Sequence, residues 1–88
     1  MPYIKQEDRT KYEPETSSLK DKLQNGDIPK GELTYLVYSL GISYFRGRES
    51  YTHISAAIGA LNDASEEIRR RHLNHYEDNK IQTNGDIE

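Results

Sequence analysis

The sequence predicts a mainly α protein, a single compact three-helix domain over 1–88 with an extended N-terminal arm and a C-terminal tail, the two ends free to pair as a minimal two-stranded element. Three observations carry that reading. Leu33, Leu36, Val37, Leu40, Gly41 and Tyr44 recur at the spacing of one helical face. Ile54, Ala57, Ile58, Leu61 and Ile68, with His72 or His75, repeat in the same way further along. Asn25-Gly26 and Gly47 punctuate the chain where such helices would stop, and Asn84-Gly85 is a strong turn pair in the tail.

Each element follows from its residues. Residues 1–15 mix charges, Tyr3, Tyr12 and two prolines without helical periodicity, which predicts an extended arm with a short edge strand at Tyr3–Lys5. A first helix is expected over 16–25. Thr16 or Ser17 can accept from the free amides of its first turn, Leu19 and Leu23 share a face, and Asn25-Gly26 supplies a left-handed stop. So short a helix needs docking to persist.

The second helix, 29–46, opens on Pro29, which suits a first-turn position. Beside its main face lies a second stripe of Tyr35, Tyr38, Ile42 and Phe45, so its apolar sector is wider than one partner helix covers. Gly41 in the interior costs about 1 kcal/mol relative to alanine and implies close approach of a second backbone. The third helix, 51–79, is capped near Ser50 to Thr52 and spans roughly 40 Å at 1.5 Å per residue, so its distal half projects. The tail, 80–88, turns at Asn84-Gly85, and Asp86-Ile87-Glu88 is placed to extend against the arm.

Composition limits what such a chain can do. Apolar residues are 33% of 88 and charged residues 31%, which leaves few side chains for a core and makes association the natural source of more. No apolar run of about 18 residues, secretion signal or lipidation signal is evident, so a cytoplasmic protein with no membrane partner is expected. With no cysteine there is no disulfide framework and no thiolate metal site. A net charge of −3 weighs against a protein that coats nucleic acid. Seven tyrosines stand against one phenylalanine and no tryptophan. They either complete a leucine-poor core or line an interface, where one end of the ring packs and the other stays wet.

Chemistry-bearing residues are sparse. Arg69-Arg70-Arg71 fans over about 200° of a helix, and Glu66 to Arg70 and Glu67 to Arg71 are the expected local ion pairs. Beside that solvated-face reading stands an anion site, since arginine forks match phosphate oxygens and Arg46 and Arg48 end the neighbouring helix. Tyr44 and Tyr51 flank the same loop, so the candidate ligand residues are Tyr44, Arg46, Arg48, Tyr51, Arg70 and Arg71, the last pair arriving from a neighbouring subunit. The candidate oligomer contact is Tyr35, Tyr38, Ile42 and Phe45. His72 and His75 share a face, but a metal site needs three or four convergent ligands, so no metal or other cofactor is implied. No nucleophile elbow, Walker loop, dinucleotide fingerprint or HExxH is present, which leaves enzymology without a foothold.

The opening MPYIKQEDR at 1–9, Ile58-Gly59-Ala60-Leu61, Arg70-Arg71 and the closing Tyr76-Glu77-Asp78-Asn79-Lys80-Ile81 through Asn84-Gly85-Asp86 resemble a small, uncharacterised family of bacterial and bacteriophage proteins. Over 13–52 the resemblance rests on Gly31-Glu32-Leu33 alone, and Glu88 stands where the family pattern has an aromatic residue. The resemblance transfers no activity or catalytic residue, and its occurrence in phages implies a small protein that binds and neutralises something of the host. The expected function is a non-enzymatic homo-oligomer that sequesters a nucleotide-like ligand or blocks a host protein, in a regulatory or counter-defence role. The alternative is a helix-turn-helix DNA-binding regulator presenting Tyr51, Thr52, His53, Ser55 and Ala56. A third is a metal-dependent hydrolase using His72 and His75.

Overall fold

Helix α1 is one short turn at Gln6–Thr10, and α2 (Glu13–Asn25) follows it almost without a break. The computed structural model, which describes residues 2–88, is mainly α, as the periodicity predicts. Helix α2 begins three residues ahead of the expected start. Pro14 sits in its first turn, where its missing N–H costs nothing, and Glu13 and Glu15 face the positive end of the helix dipole. Thr16 therefore caps nothing, and its hydroxyl instead donates back to the Tyr12 carbonyl. Gly26 keeps a right-handed conformation, and Asp27 is the residue that turns left-handed, with φ 46°.

Helix α3 (Lys30–Phe45) and helix α4 (Tyr51–Ile68) form a hairpin, the principal helix-to-helix packing among the described residues. The loop between them is built from local signals. Gly47 turns left-handed at φ 85°, and the Ser50 hydroxyl accepts from the His53 amide at 3.2 Å to cap α4. A non-glycine residue at that φ is strained, so Gly47→Ala should lower stability by about 1–2 kcal/mol. Chemical denaturation checks this, and an unchanged midpoint contradicts it.

At the seam of the hairpin a Cβ on Gly41 would stand 3.3 Å from Leu61 Cδ1, so the space left by the glycine is taken by a leucine side chain of the facing helix rather than by backbone. Ala57 beside it is 6% exposed and is the only residue buried by a single chain among those described. Every large apolar side chain among the described residues stays at least partly open to solvent.

Past Ile68 the rod continues through a π turn at Arg69–Leu73, where the Asn74 amide reaches five residues back to the Arg69 carbonyl, into α5 (Asn74–Asn84). From Tyr51 to Asn84 this is one helix of about 50 Å, matching the 51 Å long axis of the molecule. Because α3 is half as long, the distal part projects alone. The radius of gyration is accordingly 16.6 Å, where a globule of this length has about 12 Å.

The helix outlasts its expected end at 79 and stops at Gly85, φ 89°. No strand forms among the described residues, so neither the edge strand at Tyr3–Lys5 nor a pairing of the two ends is present. The arm docks on the rod near Glu67, some 27 Å short of the tail at 1.5 Å per residue. Ile87 is 98% exposed, so nothing holds the tail in an extended pairing.

Candidate functional site

The loop that joins α3 to α4 and the helix ends beside it hold four of the expected ligand residues, and their roles are unequal. Arg48 folds back over the end of α3. Its Nε and Nη2 donate to the Tyr44 carbonyl at 2.9 and 2.7 Å, and its guanidinium lies 4.8 Å from the centre of the Tyr44 ring. A cation there answers the negative end of the helix dipole, so much of Arg48 is committed to structure. The Glu49 carboxylate accepts from the Gly47 amide at 3.0 Å, and that bond, with Arg46 nearby, holds its carboxyl below the usual range. The Tyr44 ring leans toward His53, whose Nδ1 lies 2.8 Å from the Ser50 hydroxyl, and Tyr51 is 88% exposed. One chain thus presents two tyrosine rings and two guanidinium groups around a turn. Arg70 and Arg71 lie about 30 Å further along the rod, and a single chain does not bring them to this loop.

Those two arginines instead meet the N-terminal arm. The Tyr3 hydroxyl donates to the Glu67 carboxylate and accepts from Arg71 Nη1 at 3.2 Å and Arg70 Nη2 at 3.5 Å. Arg70 Nε also donates to Glu67 at 3.1 Å. The observed ion pair is Glu67 with Arg70, not Glu66 with Arg70 or Glu67 with Arg71. Tyr3 accounts for the exchange, because it draws Arg71 to its own hydroxyl and fixes the Glu67 carboxylate where Arg70 reaches it. Arg71 also lies 5.9 Å from the Tyr3 ring centre. Tyr3, Arg9 and Glu67 were not among the expected site residues. A tyrosine with no helical role near the start of the chain was the available signal for the first.

The Glu67 carboxyl is held below the usual carboxylate range, first by the Arg70 hydrogen bond and then by Tyr3. A depressed value in the docked state means that the contact contributes fully above the ordinary pKa of about 4.3 and is lost as pH falls through the lower, docked value. The arm should therefore stay docked from neutral pH down to the ordinary carboxylate range and release only below it. Tyr3 ring contacts followed by NMR through a pH titration test this, and release near neutrality contradicts it.

The expected oligomer residues line an open groove on one flank of the hairpin. Tyr38, Ile42 and Phe45 face Ile54 and Ile58 across about 240 Å³, while Tyr35 stands outside it, 67% exposed. The other flank, between Leu40 and Tyr44 on α3 and Ala56 and Ala60 on α4, encloses about 320 Å³. A single chain covers the seam and leaves both flanks open.

Among the described residues no three His, Asp or Glu side chains converge as metal ligands, so His72 and His75 have no third partner there. No described helix is long and apolar enough to cross a membrane. Together the hairpin, its projecting rod and the tyrosine–arginine cluster on the π turn define a small, open, helical-hairpin protein. The family model described as a domain of unknown function (DUF6899) matches residues 1–87, and the chain belongs to that family. No curated relative and no solved structure matches the chain.

Proposed function

We propose that this chain is a non-enzymatic, homo-oligomeric binding protein of bacterial or bacteriophage origin, acting in the cytoplasm, that holds a nucleotide-like ligand in a cleft closed between subunits. The observation that carries this reading is the state of the hairpin. Its apolar side chains are few, and among the described residues one chain buries only Ala57 and leaves an apolar groove on either flank. A second copy supplies the missing surface, as small scaffolds without disulfides or metal require.

The ligand part of the reading rests on where the charges fall. Leu61 lies midway in sequence between Tyr51 and Arg71 along one continuous helical rod. An antiparallel twofold contact centred there, on the flank with Tyr38, Ile42 and Phe45, sets Arg71 of one copy level with Tyr51 of the other along the rod axis. Each cleft then combines aromatic faces from a loop with guanidinium groups from a second rod, which stacks a base and grips a phosphate. Native mass spectrometry of the purified protein tests both parts together. The expected spectrum is a dimer or larger closed oligomer carrying a retained anionic ligand. A spectrum of monomer alone removes the reading, and an empty oligomer that captures a host protein moves it to a protein-blocking, counter-defence role.

A further inference from the structure

Arg9, Arg71 and His72 share one groove of about 400 Å³ between the N-terminal arm and the π turn, floored by Ala64 and Ile68 and walled by Pro2 and Tyr3. Arg9 Nε donates to the Ile4 carbonyl at 2.8 Å, and Arg71 uses Nη1 on the Tyr3 hydroxyl. A guanidinium carries five N–H donors, so most of the capacity of both groups remains. Neither forms an ion pair with a carboxylate among the described residues. Glu67 also lines the groove, but its charge is answered by Arg70 and its oxygens are taken by Arg70 and Tyr3.

The π turn is part of the device. On a regular helix consecutive residues step apart by about 100°, so neighbouring arginines diverge. Here Arg70 and Arg71 both reach the one Tyr3 hydroxyl, and single π turns within helices frequently mark functional sites.

We infer that this groove is a phosphate-monoester site, with Arg9 and Arg71 as a two-guanidinium fork, His72 as a further donor and the Tyr3 wall against the organic group. The arm builds the site as well as fastening the chain. Planar forks matched to paired oxygens favour phosphate over a single-oxygen anion, and the apolar floor suits an ester carrying an apolar or aromatic part. The inference names the phosphate end of the nucleotide-like ligand and rests on that reading for its aromatic end.

The test uses the full-length protein, with inorganic phosphate, a nucleoside 5′-monophosphate and the parent nucleoside as probes, followed by NMR. The monophosphate and phosphate should shift the side-chain resonances of Arg9, Arg71 and His72, and the nucleoside should not. Arg9→Gln and Arg71→Gln should each weaken the response about tenfold, as expected for losing a charged hydrogen bond. Circular dichroism should be unchanged, and Arg69→Gln should leave the response intact. Silence toward both anions at roughly 10 mM, a concentration that detects even millimolar affinity, overturns the site, as does equal weakening by Arg69→Gln. A phosphate response in a protein that sediments as a monomer upholds this site while removing the oligomer, and a silent oligomer removes this site alone.

Discussion

Ala57→Glu is expected to abolish the cooperative thermal melt and most of the helical circular dichroism signal. Ala57 lies at the seam where α3 and α4 approach most closely and borders the grooves on both of its flanks. Gly41 lies on the facing helix, and the Leu61 side chain already fills the space that the glycine leaves. A longer side chain must push the helices apart, and its carboxylate has no partner there. An unpaired buried charge alone costs about 3–5 kcal/mol, against a total stability of about 5–10 kcal/mol for a chain of this size. The distal rod cannot compensate, since every residue of it from Arg69 to Asn84 is exposed and a short isolated helix is marginal in water. A melt shifted by only a degree or two contradicts the assignment of this seam as the centre of the fold.

Phe45→Ala is expected to weaken self-association by a factor of about 30, equivalent to roughly 2 kcal/mol at an interface anchor. Phe45 is the last residue of α3 and shares its groove with Tyr38, Ile42, Ile54 and Ile58. In one chain the ring covers part of the seam and remains partly open, so truncation costs the isolated hairpin less than the assembly. Dilution series by sedimentation velocity separate the two effects. Equal loss of helicity and association places Phe45 in the fold alone and contradicts its role as an anchor.

Local signals made much of this fold legible. The wide apolar sector of α3, the Ser50 cap and the stop at Gly47 each depend on a few neighbouring residues, and each stands where the sequence places it. Misjudged features depended on competition between signals. Pro14 reads as an arm residue among charges, yet in a first turn it starts α2, while Asp27 takes the left-handed turn that Asn25-Gly26 advertises. The tail was expected to leave the helix near 79 because Asn84-Gly85 resembles a hairpin turn. In the absence of a second strand, that pair simply terminates α5. The candidate site was legible as a set of residue types and illegible as a place. Arg70 and Arg71 were in view as anion ligands, but Tyr3 and Glu67 lie 64 residues apart in sequence, and no periodicity links an arm to a π turn.

The exposed hairpin connects fold to the proposed function, in which a second copy covers what one chain of 10.2 kDa leaves open, since Ala57 alone is buried among the described residues. Sedimentation equilibrium at tens of micromolar, roughly where a functional assembly must already have formed, tests this most directly. The expected mass is that of a dimer or larger closed oligomer, with a melting temperature that rises with protein concentration. A single species of 10.2 kDa across the whole concentration range, with a melt independent of concentration, contradicts it.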